Sequence, residues 1–197
     1  MVEIYINGQL VDSQIEDEET VSDVLKSFEL TCEENEAAVI GIIVNGKQIT
    51  AETFDKEGER RLTNNEKFEF SVVTKNGIKE SFKKLSELFN ELSKQMEKLP
   101  IELQKGNKLE VSQIIQGLAD NVEEFSHLAN LASLFPDTFN CIEENGLNIG
   151  DFFKDFSEIL KDFEQALQNN DSVMIGDLAE YEICPRLQSI SETLNKI

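Results

Sequence analysis

Apolar and polar residues alternate with a period of two up to about residue 75, and then switch to a helical period. In the first stretch Ile4, Ile6 and Leu10 alternate with polar residues around Asn7-Gly8, and "IVNGKQI" at 43–49 repeats the device around Asn45-Gly46. Asn-Gly between alternating apolar runs predicts a tight hairpin, because both residues tolerate positive φ. "SQIEDEETV" is expected to be the return strand of the first hairpin, ending near Glu19. "TVSDVLKSFEL" predicts a helix capped by Thr20 or Ser22, with Val21, Val24, Leu25 and Phe28 at helical spacing. "AAVIGIIVNGKQI" reads as a buried strand, a turn and a short return, and "KFEFSVVT" as a last strand pointing Phe68, Phe70 and Val72 one way.

From Ile78 the steps become 4 and 3. Ile78, Phe82, Leu85, Phe89, Leu92, Met96 and Leu99 form one heptad seam, which Pro100 is expected to end. Val111, Ile115, Leu118, Val122, Phe125, Ala129 and Ala132 form a second, up to Pro136. Ile149, Phe152, Phe156, Ile159, Phe163 and Ala166 form a third, and a fourth helix starts near Asp171-Ser172, with Leu187, Ile190, Leu194 and Ile197 along its end. The expected fold class is α+β: an N-terminal β-grasp (ubiquitin-like) domain over 1–76, then an antiparallel four-helix bundle over 78–197, with Lys75-Asn76-Gly77 as the joint.

The β-grasp expectation rests on element order and on a resemblance. Residues 2–77 resemble the small sulfur-carrier proteins of thiamin and molybdopterin synthesis, through "EIYINGQL", "EDEETVSDVLKSF", "AAVIGIIVNGKQI" and "NNEKFEFSVVTKNG". The resemblance implies that the two Asn-Gly turns are hairpin corners of one sheet, scaffolding rather than a repeat. It departs from the family where the chemistry lies. The carriers act through a free C-terminal Gly-Gly carboxylate, whereas here Lys75-Asn76-Gly77 runs on into Ile78. The ferredoxin branch of the fold needs four cysteines, and Cys32 is the only one in this half.

Composition narrows the function classes. The net charge of −21, from 39 acids and 18 bases, disfavours nucleic acid and anionic membrane surfaces as partners. No apolar run approaches the roughly 20 residues of a membrane span, and no basic-then-apolar leader opens the chain. Cys32, Cys141 and Cys184 are scattered and unpaired in spacing, which fits free thiols and a cytoplasmic location. The segment 137–182 carries twelve acids against Lys154 and Lys161. Two readings of it stand, a solvated surface and a docking face for a basic partner.

Catalytic chemistry finds few residues. Glu124-x-x-His127 has the spacing of di-iron helices, but His127 is the single histidine, so a second pair needs a two-fold homodimer. A lone histidine removes most nucleophile–base schemes, and no phosphate-binding Gly-rich loop is present. No catalytic residue, metal or cofactor is assigned. The least generic stretch is "SVMIGDLAEYEICPRL" at 172–187, where Pro185 in a helical pattern predicts a kink against the carbonyl of Tyr181. Tyr181, flanked by Glu180 and Glu182 and followed by Arg186, is either an anchor for a partner groove or a bundle-core residue. With Asp155 and Asp162 on the third helix, these residues are the partner-binding candidates. The expected function is a non-enzymatic protein-interaction module, adaptor or chaperone-like, for a basic or amphipathic helix. The alternative is an accessory factor of sulfur or cofactor metabolism.

Overall fold

The computed structural model describes residues 2–12, 17–63, 65–139, 143–144 and 147–197. The chain divides into two compact units, Met1–Gly77 and Ile78–Ile197. The first is a mixed sheet with helices and the second is largely helical, so the fold class is α+β.

In the first unit β1 (Glu3–Ile6) and β2 (Gln9–Val11) are joined by Asn7-Gly8, and β3 (Ala37–Val44) and β4 (Lys47–Gln48) by Asn45-Gly46. Both Asn residues and both Gly residues have positive φ (49° and 81°, 52° and 78°), the conformation that these residue types accept at least cost. The central strand β5 (Lys67–Thr74) pairs parallel with β1 and antiparallel with β3, giving the order β2-β1-β5-β3-β4. Each turn asparagine also grips β5. Asn7 donates through Nδ2 to the Val72 carbonyl at 3.0 Å and accepts from the Val72 N–H at 2.9 Å. Asn45 accepts from the Lys67 N–H at 2.9 Å and donates to Glu66. The turns are corners of one sheet, pinned to the same strand.

Helix α1 (Val21–Glu34) starts at a capping box in which the Thr20 hydroxyl accepts from the Asp23 N–H while the Asp23 carboxylate accepts from the Thr20 N–H. Its buried Val21, Val24 and Leu25 meet Ile4, Val44, Phe68 and Phe70, and Phe28 stacks on Phe70 with ring centroids 3.8 Å apart. Three expectations are corrected here. The return strand ends at Val11; residues 17–19 are not strand, and the expected run over 13–16 lies outside the described residues. A short helix α2 (Ala51–Gly58) stands where no element was expected. β3 is only half buried: a bulge between Val39 and Gly41 turns Ile40 outward at 47% exposure, and Ile43 is 37% exposed.

In the second unit α3 (Lys75–Met96) follows β5 directly, and all seven seam residues from Ile78 to Leu99 are at most 3% exposed. A short α4 (Leu99–Lys105) precedes α5 (Lys108–Ala132). Next come α6 (Pro136–Phe139), a two-stranded ribbon of β6 (Glu143–Glu144) and β7 (Leu147–Asn148), α7 (Ile149–Gln168) and α8 (Ser172–Asp177). A π-helical turn (Leu178–Ile183) then leads into α9 (Cys184–Leu194). Phe82 and Phe89 of α3 pack on Phe125 of α5 at 6.0 and 6.4 Å between centroids. Ser86 and Ser191 each donate a hydroxyl to the other's carbonyl at 2.8 Å, tying α3 to α9.

The prolines behave differently from expectation. Pro100, Pro136 and Pro185 each stand in the opening turn of a helix rather than merely stopping the one before. At Pro100 and Pro136 the missing N–H costs little and the fixed φ suits the helix. The chain just after each of the first two seams is therefore partly helical. Before Pro185 the helix carries a π turn, in which the Cys184 N–H reaches back five residues to the Ala179 carbonyl.

Candidate functional site

The second helical seam holds the most informative departure. On α5 the fully buried line is Ile114, Leu118, Phe125, Leu128 and Ala132. The expected seam positions Val111, Ile115 and Val122 are only half buried. They form one wall of a groove against Leu160, Phe163 and Leu167 of α7. Two adjoining cavities make up this groove and share Ile115 and Leu167. The apolar one, about 250 Å³, runs along Leu118, Ala119 and Val122. The other, about 500 Å³, opens toward the turn before α5, with Lys108, Ser112 and Gln116 at its mouth.

That turn is held firmly. Gly106 takes φ 69° to end α4, and Asn107 caps α5 while donating to Glu102 at 2.9 Å. Lys105 donates to the other Glu102 oxygen at 2.7 Å. The Lys105 bond first, then that from Asn107, holds the Glu102 carboxyl below its ordinary value. The charged residues that line the groove are Glu102, Lys108 and Glu164. Helix α5 carries four acids and one lysine, α7 five acids and two lysines, and Glu164 lies on the groove itself.

The residues singled out around Pro185 separate into two groups. Arg186 donates through Nε and Nη2 to Asp155 Oδ2 at 3.2 and 3.0 Å. Through Nη1 it donates to the Glu182 carboxylate at 2.6 Å and to the Glu182 carbonyl at 3.0 Å. One guanidinium thus ties α7 to the π turn and occupies a carbonyl there. Tyr181 is 65% exposed, so it is not a core residue. The Glu180 charge, and then its hydrogen bond to the phenol, raise the Tyr181 pKa above its ordinary value, with Asp177 adding to the effect. Val173 and Met174, 71% and 42% exposed, lie on α8 before the turn. Asp162 is exposed on α7, seven residues beyond Asp155, and no described bond joins it to this cluster.

Two polar features escaped the sequence reading. Glu66 is 2% exposed. It accepts from Arg60 Nη2 at 2.9 Å, from the Thr63 hydroxyl and N–H at 2.8 and 3.2 Å, and from Asn45. The Arg60 bond leads in holding its carboxyl down to about 2, against the opposing effect of burial. Cys184 is 3% exposed, with Sγ 3.4 Å from the Ser93 carbonyl and 3.6 Å from Glu97. Burial, then the Glu97 charge, push the thiol to about 11, the reverse of what a nucleophile needs. Cys32 and Cys184 are free thiols, and Cys141 lies outside the described residues. Glu124 and His127 are both exposed, and among the described residues no group of three or more metal-ligating side chains converges. Among the same residues no helix is long and apolar enough to cross a membrane.

The division of the chain has a counterpart in known families. The family described as TP0873 N-terminal domain matches residues 2–74. An uncharacterized protein of Treponema pallidum (strain Nichols) is 22% identical over 191 residues, covering 97% of this chain and 95% of the relative. No solved structure matches. Residues 80–193, more than half of the chain, match the family described as Domain of unknown function (DUF8042), and the chain belongs to that family.

Proposed function

We propose that this protein is a non-enzymatic protein-interaction module whose helical unit receives a protein partner in the groove between α5 and α7. The observation that carries the reading is the half-burial of Val111, Ile115 and Val122, residues with core periodicity that face a groove instead of a neighbouring helix. Apolar positions repeated at seam spacing yet left partly in water retain free energy for an association, at roughly 25 cal/mol per Å² of apolar surface covered. The buried, proton-holding Cys184 and the exposed Glu124 and His127 supply no matching case for catalysis.

In this reading the first unit is a β-grasp platform, supported by the order β2-β1-β5-β3-β4, the parallel β1–β5 pair and α1 packed on the sheet. The second is a four-helix bundle in which α8, the π turn and α9 together serve as the fourth member. The carrier-like alternative is weaker. Residues 75–77, where a diglycine tail would stand, form the first turn of α3.

The test uses the full chain as bait beside an otherwise identical Ala119→Arg chain. Ala119 is exposed and lines the groove, so arginine there blocks the apolar floor without entering the core. A partner retained by the first and lost by the second is expected. Identical recoveries from both baits refute the assignment.

A further inference from the structure

We infer that the groove's occupant is a short amphipathic helix with an apolar stripe at heptad spacing and lysine or arginine on its flanks. This rests on the groove reading above and adds the chemistry of the partner. The first argument is spacing. Val111, Ile115, Leu118 and Val122 step by 4, 3 and 4 along α5, and Leu160, Phe163 and Leu167 by 3 and 4 along α7. Two walls with this spacing present successive holes that match knobs at i, i+3/4 and i+7 of a third helix. An extended strand, with its period of two, meets them out of step.

The second argument is length. Val111 and Val122 are eleven residues apart on one helix. At 1.5 Å per residue that is about 16 Å, the length of a three-turn helix.

Charge supplies the third. Both helices forming the groove carry net negative charge, and Glu164 stands at its edge. The bases on these two helices are Lys108, which lines one end of the groove, and Lys154 and Lys161 on α7. The net charge of the two helices attracts a cationic flank and repels an acidic one, which sets specificity and encounter rate more than affinity. Ala119, exposed between Ile115 and Val122, leaves room for close approach of a helix at mid-groove.

The experiment titrates full-length protein with two labelled peptides of about 18 residues, long enough to hold some helix in water. Both carry leucine at heptad positions in an alanine background, one flanked by lysines and the other by glutamates. The expected result is binding of the lysine peptide at least about tenfold tighter at low salt, with the gap closing as the Debye length shrinks to about 3 Å at 1 M. Ala119→Arg and, independently, Gln116→Arg are each expected to weaken that binding by about tenfold or more while the helical signal and melting temperature are kept. Two variants are used so that loss of fold in one leaves the other informative. Equal affinity for the two peptides, no binding, or binding untouched by both variants overturns the inference. If dodecanoate displaces the lysine peptide from the wild type, the groove holds an apolar chain and the helix assignment is wrong. Concentration-dependent dimerisation, lost in Ala119→Arg and accompanied by no peptide binding, replaces the partner helix with a second copy while the groove reading survives. Failure of the bait comparison as well removes both.

Discussion

Replacing Glu66 by glutamine should remove one of the strongest electrostatic supports in the first unit. The side chain is 2% exposed and ties its own segment before β5, through Arg60 and Thr63, to the Asn45 turn twenty-one residues away. Its folded pKa lies near 2 against an ordinary 4.5. A group whose pKa is depressed on folding contributes stability above its unfolded value and loses it as pH falls toward the folded one. The relevant window therefore runs from about pH 4.5 down to about pH 2. At 1.36 kcal/mol per unit the contribution is about 3 kcal/mol, fully present at pH 7. Glu66→Gln retains the shape but loses the charge-assisted bonds, so a cost of about 2–4 kcal/mol at pH 7 is expected. The assay is amide hydrogen exchange on the full chain, comparing β5 peptides with peptides from α5. Protection over 67–74 should fall by a factor on the order of a hundred while α5 protection is unchanged. Urea unfolding repeated from pH 7 to pH 2.5 should then show the variant and the wild type converging, because a protonated glutamate resembles glutamine. A difference below about 1 kcal/mol at pH 7, or one that does not shrink on acidification, refutes the assignment.

Other consequences are open to direct measurement. Phe89→Ala removes a fully buried ring packed on Phe125, and thermal melts of the helical signal should show a loss of about 3–5 kcal/mol; a loss under 1 would contradict the packing. Tyr181→Ala, at a 65% exposed position, should change stability by less than about 0.5 kcal/mol, and a sharp fall in melting temperature would return Tyr181 to the core. Asn7→Gly keeps the positive φ but loses both bonds to Val72, so urea midpoints should report a cost of about 1–2 kcal/mol, whereas a neutral result denies the asparagine grip any role. Cys184 should react with a thiol reagent at pH 7 only when the protein unfolds, since it is buried and its pKa is raised to about 11; labelling of Cys184 in the native state would exclude the α3–α9 packing described.

The sequence alone determined whatever depends on contacts between near neighbours. Asn7-Gly8 and Asn45-Gly46 dictate their turns because positive φ is a property of those residues and not of their surroundings. A cap at Thr20 or Ser22 is legible ahead of the α1 pattern, and the structure selects Thr20 through its reciprocal bonds with Asp23. The first seam was legible because its seven positions from Ile78 to Leu99 kept one helical phase and all seven are buried. The change of period near residue 75 showed two kinds of structure. Tertiary structure decided the rest, wherever two phases or two partners competed. On α5 a seam through Val111, Ile115 and Val122 and one through Ile114 and Leu128 satisfy the same 3–4 steps. Only packing against the other helices selects the second for the core and leaves the first along the groove. The outward face of Tyr181 depends on the π turn, which alters the helix phase by one residue at a point that spacing rules treat as regular α-helix. Glu66 stands in the polar run "TNNEK" and reads as loop, because its burial is compensated by Arg60 and by Asn45, twenty-one residues away. Helix α2 was missed for a similar reason: Phe54 is its lone large apolar residue, and what holds that residue is the sheet core beside it.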